Sequence, residues 1–189
     1  MASVAAPAPN DIVHHLAFDT PGRPQLWRPV EGYVFVVEIR APHIDESVFA
    51  SHDRSQIKYL MDCCERLTRG RVQFAFSEEV DLAPNVWLDL YEDIVDMPGF
   101  RGGLLRPHVT PQGQMLGGVM EWTAWKHGYS LYMASGLHEF GHVLGLGHTD
   151  YREEPIAMGS GSAATVDYHP LEQAAMDYMF EQEVGAPPA

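Results

Sequence analysis

With 189 residues, 46% of them hydrophobic, the chain is long enough to bury a core as one domain without metal or disulfide staples, and its composition indicates neither disorder nor a fibrous architecture. Lys and Arg total 12 against 26 Asp and Glu, and the formal net charge of −14 repels phosphate backbones, so nucleic acid is excluded as a favourable partner. No apolar run is long enough to cross a bilayer, so no membrane partner is expected.

Residues 1–30 are rich in proline and show little periodicity, which predicts an irregular N-terminal arm over the domain surface. The first ten residues, MASVAAPAPN, lack the basic start and continuous apolar stretch of a signal peptide. GYVFVVEIR, residues 32–40, reads as a buried strand. SHDRSQIKYLMDCCERLTR, residues 51–69, follows at helical spacing, with Ile57, Leu60, Met61, Cys64 and Leu67 on one face and Gly70 as the stop. The only cysteines, Cys63 and Cys64, are neighbours in this helix, a placement that suits disulfide geometry badly, so free thiols are expected.

RVQFAFSEE (71–79) and NVWLDLYED (85–93) alternate at period two and read as strands. Residues 97–118 carry so many glycines and prolines that a long functional loop is expected, closed by a further strand, GVMEWTAW (118–125). Helical signal returns in SLYMASGLHEFGHVL (130–144), with Ser130 as N-cap. It returns again in HPLEQAAMDYMFEQE (169–183), where Pro170 suits the first turn and Leu171, Ala174, Ala175, Tyr178 and Met179 form the inward stripe. The remainder, 184–189, reads as a flexible tail. The pattern predicts an α+β domain over residues 31–183, a mixed twisted sheet with helices packed against it.

The densest chemistry lies in LHEFGHVLGLGHTD, residues 137–150. On a helix, His138 and His142 lie one above the other on one face, a rigid bidentate half-site for a metal ion that accepts neutral imidazole, as zinc does. Glu139 projects about 100° round from His138, flanking the metal, which is where a general base must stand to take a proton from a water that the metal activates. Gly145 tolerates positive φ, so the helix can end there and the chain can swing back to deliver His148 as the third ligand. Every specified position of H-E-x-x-H-x-x-G-x-x-H is satisfied.

HEFGHVLGLGH resembles the zinc-binding helix of the metzincin metallopeptidases, and within them the matrixins, the matrix metalloproteinase type. EEPIAMGSG is similar to the family's methionine turn, which implies Met158 as a hydrophobic floor beneath the ligands. The resemblance implies a mixed sheet with an active-site helix, a second packed helix and a C-terminal helix. It also implies an exposed edge strand above the metal that a peptide substrate extends. GGVMEW (117–122) is placed similarly, making Gly118, Val119 and Met120 the candidate substrate-binding residues.

The chain also departs from that pattern. No PRCGxPD-like cysteine switch occurs, and no His-x-Asp pattern marks a second zinc; His108 and His127 read as surface or hydrogen-bonded residues. Ser160 stands where some metzincins carry a tyrosine, Tyr168 reads as a pocket wall or core residue, and Asp150 is placed to orient its surroundings.

The implied function is that of a zinc-dependent endopeptidase with Glu139 as general base and His138, His142 and His148 as zinc ligands. Calcium is an additional possible ligand among the many carboxylates. The expected partner is a peptide or protein substrate, the expected state a monomer, and the family's usual setting implies secretion. Two alternatives stand beside it. One is a metal-dependent endoribonuclease with the same histidine spacing, whose motif lacks a counterpart of Glu139. The other is a non-catalytic binding protein that holds zinc for stability.

Overall fold

The structure, a computed structural model, describes residues 9–18, 25–43, 51–91, 103–123, 129–149, 151, 155–159 and 165–187. The elements in chain order are α1 (Pro9–Phe18), β1 (Val34–His43), α2 (Ser51–Leu67), β2 (Gln73–Phe76), β3 (Val86–Tyr91), β4 (Gly103–Val109), β5 (Met115–Thr123), α3 (Tyr129–Val143) and α4 (Pro170–Glu181). The strands form one five-stranded sheet in the order β2-β1-β3-β5-β4. β1 runs parallel to β2 and β3, β3 parallel to β5, and β4 alone antiparallel, against β5. Parallel neighbours need a crossover, and α2 supplies the one between β1 and β2.

Period-two alternation decides which face is covered. Phe35, Val37, Phe74, Phe76, Val86, Leu88, Leu90, Met120 and Trp122 are buried in one apolar cluster together with Ile57, Leu60, Met61 and Cys64 of α2 and Leu137, Phe140 and Val143 of α3. Among the intervening residues, on the other face, Arg40 pairs with Asp89 at 2.6 Å and Arg106 with Glu121 at 2.9 Å, while Val36 is buried. One face is thus packed and the other solvated, and each fully buried Leu or Phe contributes roughly 1.5–3 kcal/mol. Trp122 Nε1 donates to Ser135 Oγ at 2.9 Å, pinning α3 to β5. Both cysteines are free and buried, as their adjacency requires.

Three expectations are corrected. The N-terminal segment is not wholly irregular, because residues 9–18 form α1, whose Ile12, Leu16, Ala17 and Phe18 are buried in the main core, with Phe18 edge-on to Tyr178 of α4. Nor is the C-terminal tail loose as far as it is described: Leu26 N–H donates to Ala186 O at 2.8 Å and Gly185 N–H returns a bond to Leu26 O at 3.1 Å. The stretch 97–118 contains β4 and the start of β5 where a long loop was expected.

Candidate metal centre

α3 carries the first two imidazoles, and its end is built to bring the third. The helix stops at a Schellman turn: Gly145 N–H donates to His142 O at 2.9 Å and Leu146 N–H to Gly141 O at 3.0 Å. Gly145 has φ +92, and a Cβ there would overlap the Trp27 carbonyl, so both the backbone conformation and the close approach require glycine. Beyond the turn, Gly147 N–H donates to Leu16 O of α1 at 2.6 Å, and Thr149 N–H donates to Met158 O at 3.0 Å. The loop bearing His148 is therefore held from both sides.

The three rings converge. His138 Nε2 lies 3.1 Å from His148 Nε2 and 3.1 Å from His142 Nε2. The other nitrogen of His138, Nδ1, lies 2.8 Å from Ala157 O, and that of His142 lies 2.8 Å from Leu146 O. A carbonyl can only accept, so both Nδ1 atoms carry the proton and both Nε2 atoms present lone pairs to a common centre. Lone pairs so close repel unless a cation sits among them, and the donor set therefore fits a metal ion. Burial lowers the pKa of His138, with His148 adding to the effect, which keeps its imidazole neutral and available as a ligand. Among the described residues, these three form the one group of histidine, cysteine and carboxylate side chains that could hold a metal.

Glu139 borders the same cavity of about 280 Å3, which is also lined by Trp27, Leu105, Pro107 and Met115. It is buried, and that burial pushes its pKa up to about 8, opposed by the Leu105 backbone N–H, which donates to the carboxylate. Both neighbouring groups come from β4. A Cβ on Gly103 would stand 2.5 Å from Glu139 Cγ and 2.8 Å from its Oε1, so Glu139 occupies the space that this glycine leaves open.

Met158 is fully buried beneath α3, where a Cβ on Gly141 would overlap its sulfur. A carboxylate of the C-terminal helix fixes this floor. Glu172 of α4, fully buried, accepts from Met158 N–H at 2.7 Å and from His169 N–H at 2.7 Å, and Ala157 N–H also donates to it. Burial nonetheless raises its pKa to about 7. The signal was present in the sequence: His169 is the N-cap of α4 and Glu172 its N3 residue, a capping box with histidine in place of the usual Ser or Thr.

Gly118, Val119 and Met120 do not form an edge. Val86, Trp87 and Leu88 pair with them on one side and Pro107, Arg106 and Leu105 on the other, so their backbone groups are already engaged in the sheet. The exposed edge beside the histidines is β4. Tyr168 donates through its hydroxyl to Leu137 O at 2.7 Å and contacts Cys64 at 3.4 Å, a core brace between helices. His108 is exposed with its ring against Trp87. His127, Asp150 and Ser160 lie outside the described residues.

A comparison with protein-family models finds no match, and neither does a comparison with curated proteins.

Proposed function

We propose that the chain is a zinc-dependent endopeptidase of metzincin type. The observation that carries this reading is the convergence of three imidazole Nε2 atoms on one point, with a buried carboxylate that is not one of the ligands in the wall of the same cavity. Tetrahedral zinc with Zn–N bonds of about 2.0–2.1 Å places its ligand nitrogens roughly 3.3 Å apart, close to the 3.1 Å between the histidines. Bound there, zinc would supply Lewis-acid activation of a water and of the scissile carbonyl.

The residues do the rest. Leu105 N–H holds the Glu139 carboxylate, which takes a proton from the attacking water and returns it to the leaving amine. Burial raises the affinity of the Glu139 carboxylate for a proton, and a neighbouring cation would oppose that rise, so that the group stands ionised before it accepts one. Ala157 O and Leu146 O keep two rings in the tautomer that leaves Nε2 free. Met158 and Glu172 fix the floor against which α3 rests. An extended peptide lies along β4, the edge strand that lines the cavity, in the role first assigned to Gly118, Val119 and Met120.

The test is digestion of a diverse peptide library with and without a chelator, beside the Glu139→Ala variant. We expect chelator-sensitive cleavage, and a variant that keeps zinc while losing about 10²-fold or more in kcat. Zinc-dependent thermal stability without hydrolysis would instead favour the non-catalytic binding protein, and RNA cleavage without peptide cleavage the endoribonuclease.

A further inference from the structure

The outer edge of β4 is unusual in what it offers a neighbour. Backbone N–H and C=O groups of a strand point alternately to its two sides. By that alternation Leu105 N–H points away from β5, on the side of Glu139, because the Arg106 carbonyl points toward β5, where a Cβ on Gly118 would overlap it. Pro107, one residue further, therefore turns its nitrogen to the outer side, as Leu105 does, and a proline nitrogen has no hydrogen. At two successive outward positions the edge has carbonyl acceptors and no available donor: one N–H is committed to Glu139 and the other does not exist.

Proline on an edge strand also blocks pairing between copies of a chain. Here its placement says more, because Pro107 is exposed and lines the same cavity as the three histidines, with Trp27 and Met115 beside it. The donorless position faces the place where a substrate would lie.

We propose that this edge reads a peptide through acceptors alone: the peptide residues facing Leu105 and Pro107 must each offer a backbone N–H, while their carbonyls go unread. The inference rests on the peptidase reading. It makes the substrate class peptides free of proline and N-alkylated residues at those two positions, and it makes Pro107 a specificity-determining residue, since an N–H there would complete a two-way ladder.

The experiment takes a peptide cleaved in the library digest and methylates its backbone nitrogens one at a time. kcat/KM is read on the unmodified enzyme, and Kd by calorimetry on zinc-loaded Glu139→Gln, whose amide oxygen can still accept from Leu105. Two N-methyl positions, two residues apart, should each weaken binding about fivefold or more, the worth of one hydrogen bond. In the same assays Pro107→Ala should tighten binding about fivefold, a gain that grows as the peptide is lengthened past that position. Thermal melts establish that the variant is folded. Peptides that are cleaved but show a flat N-methyl profile, with no length-dependent gain in Pro107→Ala, overturn this proposal alone. If no peptide is bound or cleaved while zinc is held, the peptidase reading falls and this inference with it.

Discussion

A methyl group added at Gly103 would meet Glu139 at 2.5 Å, and Glu139 has little room to retreat, because it is only 6% exposed. The position of this carboxylate is therefore set from outside its own helix, by a missing side chain and a backbone N–H on β4. Gly103→Ala should displace the carboxylate by a fraction of its length while leaving the three imidazoles where they are. A small misplacement of a reacting group can cost up to about 10²-fold in rate. We expect kcat to fall by about tenfold or more, with KM little altered and the zinc content unchanged by atomic absorption. An unaltered kcat would show that Glu139 accommodates the methyl group and that β4 does not brace it.

Elements differ in how openly the sequence announces them. α3 and its stop were legible because imidazole spacing, helical periodicity and Gly145 all point one way, and the structure places the three rings together as that spacing predicts. β4 was hidden by the glycines before it and by Pro107 within it. A proline is tolerated in this strand only because its nitrogen faces outward, and that fact is visible only once the strand order is known. Missing β4 also misplaced the edge, since β5 looks like the outermost strand until β4 is laid against it. α1 was hidden in the same way. Its Ile12 and Leu16 have helical spacing, but the burial that makes the helix worthwhile comes from α4, more than 150 residues away in the chain. α1 is tied to the site through Leu16, whose side chain is fully buried and whose carbonyl accepts from Gly147 N–H, next to His148. Leu16→Ala should cost roughly 2–5 kcal/mol through the cavity it leaves. Because outer partners of a ligand typically control metal affinity by about tenfold or more, zinc should also pass faster to a competing chromophoric chelator. A lowered Tm with an unchanged transfer rate would restrict α1 to packing.

Over the whole molecule, metal and protons should act on stability in opposite senses. Burial raises Glu172 to about 7 and Glu139 to about 8, from an ordinary 4.5. Below pH 4.5 folded and unfolded chains both hold these protons; between 4.5 and the raised values the folded chain holds them and the unfolded chain does not. The metal-free protein therefore loses stability as pH rises through this window, by at most roughly 1.4 kcal/mol per pH unit for each group. His138, lowered from 6.5, works the other way, costing stability as pH falls below 6.5, but it is one group against two. With zinc present the balance reverses. The ligands must be neutral imidazoles, which the unfolded chain protonates below the ordinary histidine value of about 6.5, so the metal-held fold gains stability as pH rises through that value, and the nearby cation favours the charged form of Glu139. Zinc at a thousand times its Kd would add about 4 kcal/mol, roughly 8–16 °C in Tm for a domain of this size. Melting curves from pH 5 to 8.5 should therefore diverge, falling with chelator and rising with zinc, and Glu172→Gln should flatten the chelator curve by removing one of its two carboxyls. Parallel curves with and without zinc would mean that no metal is held by the three histidines across this range. A chelator curve equally steep in wild type and Glu172→Gln would mean that Glu172 titrates as an ordinary carboxylate despite its burial.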